Sequence, residues 1–98
     1  MSASKNRYTI KFQNTRIYEG WLQLSNEFPD QVNTYLEFLK NNPEDRLKAV
    51  GLLKKLKGKY KGILQYDITK KDARVWYVVD KKHRFVTIKY AGHHPDKY

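Results

Sequence analysis

The chain has 98 residues, 40% of them hydrophobic, with 8 tyrosines and 2 tryptophans; this is enough for one compact domain with a modest core and excludes a disordered polymer. It has no cysteine, which excludes a disulfide framework, a thiolate zinc site and a cysteine nucleophile, and no apolar run long enough for a signal peptide or a bilayer span, so a cytoplasmic protein is expected. Its formal net charge of +10, from 20 Lys and Arg against 10 Asp and Glu, makes a field that attracts nucleic acid first, an anionic membrane surface or an acidic protein next; charge for solubility alone is the alternative.

After a polar start over residues 1–6, expected to be flexible, "RYTIKF" alternates Tyr8, Ile10 and Phe12 with Thr9 and Lys11, the pattern of a strand with one buried face. Asn14 or Thr15 can cap a helix in which Ile17, Trp21, Leu24 and Phe28 recur at helical spacing. Pro29 interrupts, and Val32, Tyr35, Leu36 and Leu39 form a second apolar stripe. The two stripes predict a helical hairpin that packs on a sheet. In "NNPEDRLKAV", Asn42 can cap and Pro43 fits the first position of a short third helix, with acids in its first turn. Periodicity is then lost in "GLLKKLKGKYKG", which reads as a loop.

The last third reads as strands. "GILQYDI" buries Leu64, Tyr66 and Ile68; "ARVWYVVD" buries Val75, Tyr77 and Val79; "RFVTIKYAG" buries Val86, Ile88 and Tyr90. The polar connections "TKKD" and "DKKH" are short, so an antiparallel meander is expected. The whole is an α+β fold: a strand, a helical hairpin with a short helix, then a three-stranded meander, with the helices on one sheet face. It is expected to form a single domain over residues 1–98. Gln65, Asp67, Arg74, Trp76, Phe85, Thr87 and Lys89 fall on the other face, expected to be open to solvent.

Three groups of residues carry possible chemistry. Lys54, Lys55, Lys57, Lys59 and Lys61, with Lys70 and Lys71 on a nearby turn, are spaced to follow a phosphate backbone; a solvated loop is the alternative. Arg74 can offer its planar fork to a phosphate, or form a salt bridge with Asp67 or Asp72. At the end of the chain, "GHHPDKY" lets Gly92 turn His93 and His94 back toward the sheet, with Tyr98 close enough to share a site; a frayed terminus is the alternative. No carboxylate–histidine spacing supports a metal site, and no cofactor is expected.

The stretches "LKKLKGKYKGILQYDITKKDARVWYVVD" and "VTIKYAGHHPDKY" resemble the RelE/ParE superfamily of toxin–antitoxin toxins. The family's Leu-x-Gly segment, its "R-V-x-Y-x-V-D" strand and its "G-H-R-x-x-x-Y" ending stand here as "LKG", "RVWYVVD" and "GHHPDKY". The resemblance implies a metal-independent mRNA endonuclease that cuts at the ribosome and is held inactive, in a hetero-oligomer, by an acidic antitoxin. Carried over by position, Arg74 falls on the arginine that contacts the scissile phosphate. His94 stands where many members have arginine and some a catalytic histidine, and Tyr98 falls on the terminal aromatic. Some members carry lysines where this chain has Gln65 and Asp67, so the general base stays open. His93, Asp67 and Lys61 are reserves, and Trp76 or Phe85 would stack on an unpaired base. The other readings are a ParE-like toxin that inhibits DNA gyrase without cutting RNA, and an RNA-binding module without catalysis.

Overall fold

The computed structural model describes residues 7–41, 43–45, 53–69 and 72–93. Strand β1 (Thr9–Phe12) is followed by helices α1 (Thr15–Glu27) and α2 (Pro29–Asn41). Then come β2 (Leu53–Lys55), a 3-10 turn (Gly58–Tyr60), β3 (Leu64–Asp67), β4 (Arg74–Asp80) and β5 (Phe85–Gly92). The helices begin and end where local chemistry dictates. The Asn14 side chain accepts a hydrogen bond from the Ile17 backbone N–H at 3.0 Å while its own backbone is extended. Such a cap contributes about 1 kcal/mol. The Phe28 N–H closes α1 onto the Leu24 carbonyl, and Pro29 starts α2 at a position where no N–H is required.

The strands form one five-stranded sheet in the order β1-β5-β4-β3-β2. Neighbours from β2 to β5 are antiparallel, as the short polar connections require, and β1 joins the far edge parallel to β5. Val75, Tyr77, Val86 and Ile88 are fully buried on the face covered by the helices, against Leu24, Tyr35 and Leu39. α1 lies so close to β5 that a Cβ on Gly20 would stand 2.2 Å from the Ala91 carbonyl oxygen. Only glycine permits that approach.

The structure departs from the sequence pattern in three places, and a fourth stretch lies largely outside the described residues. The stretch read as a loop contains a fifth strand: Leu53, Lys54 and Lys55 pair with Tyr66, Gln65 and Leu64. Three residues are too few to show a period, and the pairing partner supplies the order. The short helix expected over 42–50 falls on residue 42 and residues 46–50, which lie outside the described residues; Pro43 and Glu44 stand in a turn. The Tyr77 hydroxyl donates to the Pro43 carbonyl at 2.6 Å, which fixes the chain beyond α2 against β4.

Tyr90 is not in the core. Tyr77 opposes Ile88 but Trp76 opposes Tyr90, so Lys89 is an extra residue in β5. A bulge of this kind reverses the alternation beyond it. Ala91 therefore opposes Val75 and is buried under α1, while Tyr90 joins Trp76 on the opposite face. That opposite face also differs from expectation, because its central residues are not open to solvent.

Candidate functional site

Two rows of residues cross the sheet on the face away from the helices. Lys54, Gln65, Trp76 and Tyr90 are successive partners across β2, β3, β4 and β5; beside them, Asp67, Arg74 and Gly92 are partners across β3, β4 and β5. Gln65 is 4% exposed, Asp67 6%, Trp76 8% and Arg74 9%, where alternation alone predicts solvated side chains. The physical reason is a second, polar packing layer. Tyr60 of the 3-10 turn sets its ring centroid 5.1 Å from that of Trp76, and the Tyr90 ring lies 5.7 Å from it. The Trp76 indole N–H donates to Gln65 Oε1 at 2.9 Å, and the Gln65 amide donates to Asp67 Oδ1 at 3.1 Å. Asp67 Oδ2 faces the Lys54 ammonium at 3.6 Å. These groups tolerate burial because each has a partner. Trp76 is thus a wall of the site, and the half-buried Tyr60 and Tyr90 are the rings nearer solvent.

Arg74 has no such partner among the described residues. It comes within ion-pair distance of neither Asp67 nor Asp72, the two carboxylates expected to neutralise it. Its Nε is buried without a hydrogen bond among the described residues. Asp67 is engaged by Gln65 and Lys54, and Asp72 by His93. A buried cation left in this state is costly unless an anion completes it.

The end of β5 passes directly beside this cation, since Gly92 is the register partner of Arg74. A Cβ at Gly92 would lie 3.1 Å from the Tyr90 hydroxyl, which donates to the His93 carbonyl. The His93 ring is held between two carboxylates: Nδ1 meets Asp72 Oδ2, and Nε2 lies 3.0 Å from Glu27 Oε1. Local structure presents both acids. The Thr69 hydroxyl accepts from the N–H groups of Asp72 and Ala73, shaping the β3–β4 connection. Gln23 donates to the other oxygen of Glu27 at 3.2 Å. The hydrogen bond that the ring donates to Asp72, foremost, holds the His93 pKa above its ordinary value, and Glu27 adds to it.

His94, Tyr98, Lys70 and Lys71 lie outside the described residues. The other lysines do not form one track. Lys54 is on the Arg74 face and Lys55, the next residue, points to the other; Lys55, Lys57 and Lys61 edge a groove of about 480 Å³ floored by Leu56 and Val79. Lys57, Lys59 and Lys61 are exposed and form no ion pair with a described residue. Phe85 opposes Asp80, at the far end of β4 from Arg74, and carries the Lys11 ammonium 3.8 Å from its centroid. It is roughly 20 Å along the strand from Arg74.

Sequence reasoning alone does not find Tyr60, Tyr90, Glu27 or the Asp72–His93 contact. Each depends on a pairing between distant segments, and the one local signal is the Gly58 and Gly62 pair, with φ of 68° and 95°, which folds Tyr60 back over the sheet.

No protein-family model and no curated protein matches the sequence. Solved structures share the fold over nearly the whole chain. A chain of the YoeB–YefM complex from Staphylococcus aureus is 25% identical, with a TM-score of 0.62 over 91% of this chain and 99% of that one. A chain of the archaeal RelE–RelB complex from Pyrococcus horikoshii OT3 is 19% identical, with a TM-score of 0.67 over 92% and 98%. A chain of the E. coli DinJ–YafQ toxin–antitoxin complex is 18% identical, with a TM-score of 0.67 over 90% and 93%. The structural neighbours are toxins of the RelE/ParE superfamily, and this chain has their fold.

Proposed function

We propose that this protein is the toxin of a toxin–antitoxin pair and a metal-independent endoribonuclease that cuts mRNA at the ribosome. The observation that carries this reading is Arg74: a largely buried arginine whose Nε has no hydrogen bond among the described residues and whose neighbouring carboxylates are both engaged elsewhere, beside the point where the chain leaves β5 two residues before His94. RNA supplies its own nucleophile. The ribose 2′-OH loses its proton and attacks the adjacent phosphorus, the bond to the 5′ oxygen breaks, that oxygen gains a proton, and a 2′,3′-cyclic phosphate remains. The protein has to stabilise charge on the phosphorane and move two protons. Arg74 serves the first need: its planar fork matches two phosphate oxygens and stays charged at any working pH. His94 serves as general acid, and Tyr98 orients the nucleotide. Lys54, Lys57, Lys59 and Lys61 supply positive charge for the flanking phosphates. The partner is an acidic antitoxin, bound in a salt-sensitive complex because so much charge is neutralised.

Incubation of the purified protein with ribosomes programmed with message tests the reading. Cleaved message with cyclic phosphate ends is expected, reduced on the order of a hundredfold or more in Arg74→Ala and His94→Ala. Uncut message with inhibited DNA supercoiling would assign the protein to gyrase instead. Tight RNA binding without product would leave a binding module.

A further inference from the structure

The contacts around His93 have no part in the chemistry just described, and their geometry is specific. Each ring nitrogen faces a carboxylate, Nδ1 that of Asp72 and Nε2 that of Glu27. A neutral imidazole has a single N–H and would meet one of these acids lone pair to lone pair; only the imidazolium donates to both. The two acids come from different parts of the fold, the last turn of α1 and the β3–β4 connection. A third contact, from the Tyr90 hydroxyl to the His93 carbonyl, closes the backbone over Gly92. A histidine with both nitrogens occupied has no free position from which to exchange a proton with a substrate.

We propose that His93 is a positioning residue, which as an imidazolium fastens the end of β5 to α1 and to the β3–β4 connection and so sets the direction in which the chain passes Arg74. The role rests on the reaction proposed above, and His93 itself transfers no proton in it. Among the described residues the groups facing His93 are Glu27 from α1, Asp72 from the connection and Tyr90 from β5; Arg74 stands opposite Gly92 on β4. The pH dependence comes from the raised value of the folded state. The stabilisation is complete below the ordinary histidine pKa of 6.5 and is lost as pH rises through the higher folded one.

The test uses the full chain and three variants: His93→Gln, which keeps hydrogen bonding without charge, His93→Arg, which donates in two directions and stays charged, and Asp72→Asn. In an NMR titration, His93 is expected to titrate above the ordinary value and to fall back toward it in Asp72→Asn. In thermal melts, wild type and His93→Arg should exceed His93→Gln at acid pH, with the wild-type advantage fading as pH rises and that of His93→Arg persisting. In message cleavage, His93→Gln should lower kcat about tenfold with KM little changed, and His93→Arg should restore most of the rate. Equal losses in both His93 variants would make it a proton-transfer group and overturn the proposal. So would an ordinary titration in wild type, or a His93→Gln protein that melts and cleaves as wild type does. Should wild type cut no message at all, the proposed reaction falls, and the titration and melts still decide whether the anchor exists.

Discussion

The two faces of the central sheet are both buried, by opposite means. On one face α1 and α2 cover Val75, Tyr77, Val86 and Ile88 with largely apolar side chains, and beyond the hydrogen bond of the Tyr77 hydroxyl to the Pro43 carbonyl it is shape that holds them. On the other, a chain of hydrogen bonds through Trp76, Gln65 and Asp67 is roofed by Tyr60 and flanked by Tyr90. An apolar layer tolerates small shifts, because dispersion and the hydrophobic effect have no direction. A buried polar layer does not, because each group needs its partner at a set distance. A surface that must hold Arg74 in one place beside the end of β5 gains from the second kind of packing. The difference teaches that burial alone does not distinguish a core from a site: the Tyr35 hydroxyl and the Arg74 Nε are both buried without a hydrogen bond among the described residues, but only Arg74 carries a full charge that calls for an anion.

Substitutions can break this comparison or sharpen it. The largest expected effect is from Trp76→Ala, which removes the indole and leaves Gln65 without its donor. We expect a loss of about 4 kcal/mol, seen in denaturant melts, as for a large core aromatic; a loss under about 1 kcal/mol would mean the polar layer is only a surface lid. Gly20→Ala attacks the apolar side by forcing α1 away from Ala91. A loss of about 3 kcal/mol is expected, with the melting temperature lower by more than ten degrees.

Gln65→Leu should cost about 2 kcal/mol, since it strands the Trp76 N–H and an oxygen of Asp67. The same change made in a Trp76→Phe background should cost clearly less, and additive losses would show that the two side chains do not form one network. Asn14→Ala should cost about 1 kcal/mol through the lost cap of α1, with cleavage unaffected. Lys54→Ala is expected to change stability by less than about 0.5 kcal/mol, since its ammonium is largely exposed and its pairing with Asp67 is screened.

Much of the apolar face is legible in the chain, because period-two and helical patterns are local. Leu64, Tyr66, Val75, Tyr77, Val86 and Ile88 lie inward as their alternation predicts, and Asn14 and Pro29 mark helix ends where they stand. The candidate site is legible in part. Arg74 reads as an unusual cation on a strand, but whether Asp67 or Asp72 neutralises it cannot be read from spacing, because both acids are close in sequence. Asp67 is instead engaged by Gln65, two positions away on the same strand, and by Lys54 of β2, while Asp72 meets His93 from the end of β5, and the last two contacts join segments distant in sequence.

What the sequence by itself determined is the composition of each layer: which residues are apolar, at what period, and where positive charge and imidazoles concentrate. Those properties depend on neighbours a few positions away. Tertiary structure alone decided that Lys89 is an extra residue in β5, that Tyr90 therefore leaves the core, that a three-residue edge strand carries Lys54 to Asp67, and that His93 reaches Glu27. A register shift or an ion pair across 66 positions is an agreement between segments, and the energy that selects it appears only when those segments meet.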